Sequence, residues 1–193
     1  AIEKLKQSCV MVVGCGAVGS FAIESLARSG IGHIILIDFD NVEESNINRQ
    51  LFALDSTIDK PKVLVASQRI ADINPKIKIE VFDMFFDENT NVDVKPDFVI
   101  DAIDTVSSKI ALYKWCENNN IPFVSSMGAA RKTDLTKIKI GKISKTTVCP
   151  LASKIRHIVR DLKIKDFPVV YSTEVATPQP NGGREFGSMI TVT

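Results

Sequence analysis

Much of the first reading comes from what the sequence lacks. Its 193 residues hold four cysteines, Cys9, Cys15, Cys116 and Cys149, none in a C-x-x-C pair. That argues against a zinc site and a disulfide framework, and suits a reducing compartment. No apolar run reaches the roughly 18 residues needed to span a bilayer, and the first residues lack the n-region and h-region of a signal peptide. The expected location is the cytoplasm. Neither sign of charge dominates: 24 Lys and Arg face 23 Asp and Glu, so no overall field advertises nucleic acid or an anionic membrane, although a local basic patch stays open. The two histidines, His33 and His157, have no ligand-like spacing. Repeats and low-complexity tracts are missing. The closing stretch Ser188 to Thr193 has no terminator, and few residues precede the first apolar run, so both ends read as cut.

What is present reads as one domain. A hydrophobic content of 45% is enough for one sizeable core. Cys9 to Val13 is a continuous apolar run stopped by Gly14, the pattern of a buried parallel strand entering a tight turn. Helical spacing follows from Ala17 to Ser29 and is closed by Gly30. Ile34 to Ile37 forms a second strand, ending in Asp38-Phe39-Asp40. A polar, irregular stretch, Asn41 to Asp59, reads as a functional loop or short turns. Pro61 then opens a helix that Asn74-Pro75 stops. Further strands are expected over Ile77 to Phe82, Phe98 to Ala102 and Phe123 to Ser125, with a helix over Lys109 to Cys116. The alternation predicts an α/β, Rossmann-like, doubly wound and mostly parallel sheet with helices on both faces. Residues 1–130 would form the nucleotide-binding core. Residues 131–193 would add an irregular extension, with a strand over Ile138 to Ile143, a helix over Leu151 to Leu162 and a short strand over Pro168 to Tyr171.

Gly14-Cys15-Gly16-Ala17-Val18-Gly19 carries the chemistry of the first half. In a G-x-G-x-x-G turn the first glycine bends the chain, the second lets phosphate approach the backbone, and the third lets helix and strand pack closely. The helix N-terminus offers unpaired N–H groups to an anion. Asp38 stands at the end of the next strand, where an acid accepts hydrogen bonds from a ribose. Taken alone, these features fit a nicotinamide dinucleotide. The surroundings favour ATP: a triphosphate wants fixed cations and usually a metal. Arg49 and Lys62 can supply the cations, and Asp104 could hold Mg²⁺. Solvated surface charge is the bland alternative for Arg49 and Lys62, and helix capping for Asp104; their joint placement after strand ends favours the site.

Gly14-x-Gly16-x-x-Gly19, Asp38-x-Asp40, Asn46-x-Asn48-Arg49-Gln50, Lys62 and Asp101-Ala102-Ile103-Asp104 together resemble the ubiquitin-activating-enzyme-like adenylyltransferases, over residues 8–130. That superfamily includes the thiamine and molybdopterin sulfur-carrier activators. Ile31-Gly32, Ile121-Pro122-Phe123-Val124 and Ser172-Thr173-Glu174 followed by Pro178-Gln179-Pro180 resemble its tRNA-modifying branch, which dehydrates threonylcarbamoyladenosine beside the anticodon. The absence of paired C-x-x-C motifs agrees with a branch that has no zinc.

The resemblance implies an acyl-adenylate chemistry in which ATP activates the threonyl carboxylate and ring closure releases AMP, forming a C–N or C–O bond. It implies that Gly14, Gly16, Ala17, Gly19, Asp38, Asp40, Asn46, Asn48, Arg49, Gln50, Lys62 and Asp104 bind the nucleotide. Arg49, Lys62 and Asp104 would be catalytic, with Mg²⁺ at Asp104. It also implies a homodimer, a tRNA partner and a link to a cysteine desulfurase or sulfur acceptor. An alternative is activation of the C-terminus of a ubiquitin-like sulfur carrier; a third reading is a nucleotide sensor without turnover. Cys149 is the one cysteine expected in an exposed loop. The last third carries a basic excess, from Arg131-Lys132 through Lys154, Arg156 and Arg160 to Lys165, suited to RNA phosphates.

Overall fold

The β-branched runs of the sequence become neighbouring strands of one sheet in a computed structural model, which describes residues 2–177. In chain order the elements are α1 (Ile2–Gln7), β1 (Cys9–Val13), α2 (Ala17–Ser29), β2 (His33–Asp38), α3 (Lys62–Ile73), β3 (Lys78–Asp83) and β4 (Phe98–Asp101). They continue as α4 (Val106–Asn118), β5 (Phe123–Ser126), β6 (Ile138–Lys142), α5 (Pro150–Asp161) and β7 (Pro168–Ser172). The strand order is β3-β2-β1-β4-β5-β7-β6. Pairings are parallel except that β6 runs antiparallel to β7 at the edge.

Successive residues of a strand point to opposite faces, and here both faces are covered. Val10, Val12, Ile34 and Leu36 pack with Ile23, Ala27, Val63 and Ile70 from α2 and α3. Met11, Val13, Ile35 and Ile37 belong to the opposite cluster, with Leu112, Ala152 and Ile155 from α4 and α5. This explains why the first two strands read as unbroken apolar runs rather than alternating ones. Each fully buried aliphatic side chain contributes about 1.5–3 kcal/mol.

Helix α1 was not expected. None of its residues is buried, and it is held by its backbone: Gly32 N–H donates to Leu5 O at 3.0 Å. The loop from Asn41 to Asp59 contains two 3-10 turns, Glu44–Asn46 and Asp55–Thr57. Val42 N–H donates to Lys60 O at 2.9 Å and closes its base. Residues 131–177 extend the same sheet through β6 and β7. The expected motif Pro178-Gln179-Pro180 and the final stretch Ser188 to Thr193 lie outside the described residues.

Three readings need correction. Cys149 is not in an exposed loop; it is 2% exposed, with its Sγ 3.8 Å from Gly128 O, because the chain entering α5 presses on the loop after β5. Lys132 is buried and donates to Ser172 O at 3.2 Å. Arg156 is spent on Thr146, its Nη1 lying 2.7 Å from the carbonyl and 2.6 Å from Oγ1. Neither of these two cations belongs to a solvated patch.

Candidate functional site

The strand order reverses direction between β1 and β4, and ligands of open α/β sheets bind at such a switch point, outside the carboxyl ends of the strands. A cleft of about 470 Å³ lies there. Its floor is the glycine turn between β1 and α2. Gly14 has φ +95°, and a Cβ on it would stand 2.6 Å from Ala102 O, so only glycine lets β1 turn beneath the segment leaving β4. A Cβ on Gly19 would stand 1.8 Å from Gly14 O, which is how closely α2 meets the turn. At Gly16 the nearest atom to such a carbon is Gln50 Nε2, 3.7 Å away. The space above Gly16 is therefore open, and a side chain would fill it. Helix α2 begins there without a side-chain cap, leaving first-turn N–H groups for an anion.

Asp38 ends β2 under this turn. Its Oδ2 accepts from Cys15 N–H at 2.6 Å and its Oδ1 from Asp40 N–H at 2.8 Å. Burial raises its pKa above the ordinary 3.8; the two backbone donors and Lys62 oppose that rise. Lys62, 7% exposed, lies beside Asp40: its backbone N–H donates to Asp40 O at 2.9 Å and its Nζ meets Asp40 Oδ2 at 2.8 Å. Arg49 is braced by Ser45 O at 2.8 Å and Asn48 Oδ1 at 2.9 Å, through one guanidinium nitrogen. Its remaining donors are not used by the braces. Asp104 is exposed on the opposite wall, where Thr105 Oγ1 donates to it at 3.3 Å.

Beneath that wall lies a polar cluster with no route to solvent. Asp101 and Lys109 form an ion pair at 2.8 Å, both side chains fully buried. Tyr113 OH donates to the same carboxylate at 2.9 Å, and Ser125 Oγ donates to it as well. Lys109 Nζ also donates to Ser126 O at 2.8 Å, and Asp101 Oδ1 accepts from Ile103 N–H at 3.0 Å. Burial, then the Asp101 charge, drive the Tyr113 phenol far above its usual range, so it remains a donor. The cluster ties the segment after β4 to the segment after β5, and both line the cleft.

Of the residues expected at the site, Gly14, Gly16, Ala17, Asp38, Asp40, Asn46, Arg49, Gln50, Lys62 and Asp104 line this one cleft. Gly19 and Asn48 do not. Gly19 packs α2 against the turn, and Asn48 braces Arg49. Asn46 has a structural task besides: its Oδ1 accepts from Glu43 N–H at 3.2 Å. Sequence reasoning missed Lys109, Tyr113 and Ser125, and used Asp101 as part of a motif without giving it a role of its own. It also missed Phe39 and Phe85, which meet edge to face at 4.8 Å on the cleft wall. The available signal was a lysine heading the run Ile110-Ala111-Leu112-Tyr113 of α4, eight residues after an acid at a strand end. Among the described residues no three His, Cys, Asp or Glu side chains form a metal-binding group.

Comparison with known proteins agrees with this geometry. The ThiF family model matches residues 1–170. The tRNA threonylcarbamoyladenosine dehydratase of Bacillus subtilis is 49% identical over 177 residues, 90% of this chain and 70% of that protein. Across three curated bacterial dehydratases, this chain spans 62% to 72% of their length. The crystal structure of the Escherichia coli dehydratase with ATP superposes with a TM-score of 0.90 at 37% identity, covering 99% of this chain and 81% of that one. The molybdopterin-synthase adenylyltransferase of Haemophilus influenzae is 38% identical, but over 130 residues, 66% of this chain and 53% of that protein.

Proposed function

Because the chain belongs to the ThiF family, and within it groups with the tRNA threonylcarbamoyladenosine dehydratases, we propose that it is an ATP-dependent enzyme that removes water from threonylcarbamoyladenosine in tRNA. The observation carrying this reading is the length of the match. Similarity to the bacterial dehydratases runs over 83% to 94% of the chain, whereas similarity to the sulfur-carrier activator of Haemophilus influenzae runs over 66%.

In the proposed reaction a carboxylate oxygen of the threonyl group attacks the α-phosphorus of ATP. Pyrophosphate departs with the electron pair of the broken P–O bond, leaving an acyl-adenylate. An internal N or O nucleophile of the same modification then attacks the acyl carbon, gives up its proton, and expels AMP. Removing the carboxylate oxygen with AMP is the net dehydration.

The chain's own groups fit this sequence of charges. The uncapped start of α2 and the open space at Gly16 receive phosphate. Arg49 offers a planar fork to the phosphates as negative charge moves onto the leaving group. Lys62, held in the cleft by Asp40, supplies a second fixed cation. Asp38, ionised, accepts from the ribose hydroxyls. The lone carboxylate of Asp104 fits Mg²⁺, which commonly takes one or two protein carboxylates and completes its shell with substrate phosphates and water; the ion would offset triphosphate charge. Zinc is not part of this reading, which extends to a cytoplasmic homodimer and to a cysteine desulfurase or sulfur acceptor as partner.

The test is mass spectrometry of tRNA after incubation with protein and ATP. Loss of one water from the modified nucleoside, with release of AMP, is expected. Pyrophosphate exchange that depends on a Gly-Gly-tailed small protein and not on modified tRNA would overturn the proposal in favour of sulfur-carrier activation.

A further inference from the structure

Charge is unevenly divided along this nearly neutral chain. Residues 1–130 hold twelve Lys and Arg against eighteen Asp and Glu, while residues 131–177 hold eleven against four. The four acids of the second group are largely occupied. Asp134 accepts from Thr136 N–H, Asp166 from Ser144 N–H, and Glu174 from the N–H groups of Thr133 and Asp134. Asp161 meets Arg160 at 3.3 Å, with both side chains about 70% exposed, a pairing of little strength. Among the described residues, none of the exposed lysines of this segment has an ion-pair partner.

The fold gathers several of these cations along one line. Helix α5 buries Ala152, Ile155 and Val159 and turns Lys154, His157 and Arg160 outward. Lys163 and Lys165 follow its C-terminus, and Lys145 belongs to the neighbouring turn, which Ser144 ties to Asp166. At its other end, Leu151 in the first turn lines the nucleotide cleft. Arg131, exposed, directly follows Ala130 on the cleft wall. Helix α5 is about 18 Å long; its outward cations begin at Lys154, about one turn from the cleft end, and continue past its far end to Lys163 and Lys165.

We propose that the outward face of α5, with Arg131 at its cleft end and Lys163 and Lys165 at its far end, is where the phosphate backbone of the substrate RNA docks. The inference rests on the tRNA reading above and adds the surface and direction of approach. A modified base entering the cleft must leave its stack, while the flanking backbone needs cations beside the opening. Exposed lysines without ion-pair partners, with Arg131 and the weakly paired Arg160, meet that need, and phosphate contacts position a nucleic acid without reading its sequence.

The experiment compares two double variants of equal charge change, Lys154→Glu with Arg160→Glu on α5, and Lys4→Glu with Lys76→Glu away from the cleft. Binding of a fluorescent unmodified tRNA transcript is measured across salt concentrations, alongside ATP affinity and turnover of modified tRNA. The α5 pair should lose at least tenfold in tRNA affinity and flatten the log–log salt slope by about 1.5, since each phosphate contact contributes about 0.7–0.9. ATP affinity should be unchanged, and the distant pair should lose less than threefold. Wild-type turnover of tRNA with equal losses in both pairs, or with no loss in the α5 pair, overturns the docking face and leaves the dehydratase reading standing. A wild type that binds no tRNA, or a track that instead captures an acidic carrier protein, overturns both.

Discussion

Asp38 must carry a negative charge in a place that resists one. Burial raises its pKa, and only the two backbone donors and Lys62 hold it down. Its ionised form therefore costs stability at neutral pH, a cost relieved as pH falls through the raised folded-state value. Nucleotide binding has the opposite preference, because a protonated carboxyl is a poorer acceptor for ribose hydroxyls. ATP affinity is expected to decline on acidification from neutrality before pH reaches the ordinary aspartate value of 3.8; titration calorimetry from pH 7.5 downward checks this, and a flat profile to pH 4 would contradict it. Arg49→Ala and Asp104→Ala should each reduce turnover at least a hundredfold with melting temperature nearly unchanged, since neither side chain is in the core. Activity retained per folded molecule would count against their roles. These polar residues were legible because they follow strand ends in loops, where a charge has no packing task. Lys109 was not, since a lysine in a helix reads as a surface group until the fold shows its partner.

The two C-terminal helices differ in how plainly the sequence announces them. Helix α5 has one buried stripe and a charged remainder, so its spacing and bounds could be read within a residue. Helix α4 buries Ser108 through Tyr113 without a break, because the sheet and α5 enclose it and leave it without a polar face along this stretch. Its start and end were accordingly underestimated. Within it Lys109 joins two cleft-lining segments through Asp101 and Ser126. Lys109→Met should strand a buried carboxylate and cost about 3–5 kcal/mol, seen as a lower urea midpoint at constant slope. ATP affinity should fall as well, because the segments after β4 and β5 lose their tie. A loss below about 1 kcal/mol would mean that the pair is replaceable. Helix α1 was illegible for a different reason: six residues with none buried leave no periodic signal.

At the level of the molecule, the alternation of strands and helices dictated a parallel sheet, and the switch point followed from it. The edge position of β6 did not, since a short exposed strand with Ile140 80% exposed does not specify its neighbour. Because β7 bridges β5 and β6 in one continuous sheet, unfolding should occur in a single transition, coincident by far-ultraviolet circular dichroism and by tryptophan fluorescence. ATP at a hundred times its dissociation constant should add about 2.7 kcal/mol and raise the midpoint by roughly 5–11 °C at this chain length. Two transitions, with only the first moved by ATP, would instead separate residues 131–177 from the nucleotide-binding core.

The four cysteines also give the protein a chemical clock. Cys15 lies inside the glycine turn, fully covered, and burial followed by the Asp38 charge drives its thiol well above the usual range. Burial likewise raises Cys9 to about 11 and Cys116 to about 12, and Cys149 is 2% exposed. Thiolate is the reactive form, so a disulfide reagent meets at most the partly exposed Cys9 in the native protein and the three buried thiols once it opens. The rate of colour release would then time the opening of the chain, and for Cys15 the opening of the nucleotide floor itself. Added ATP should slow that particular thiol most.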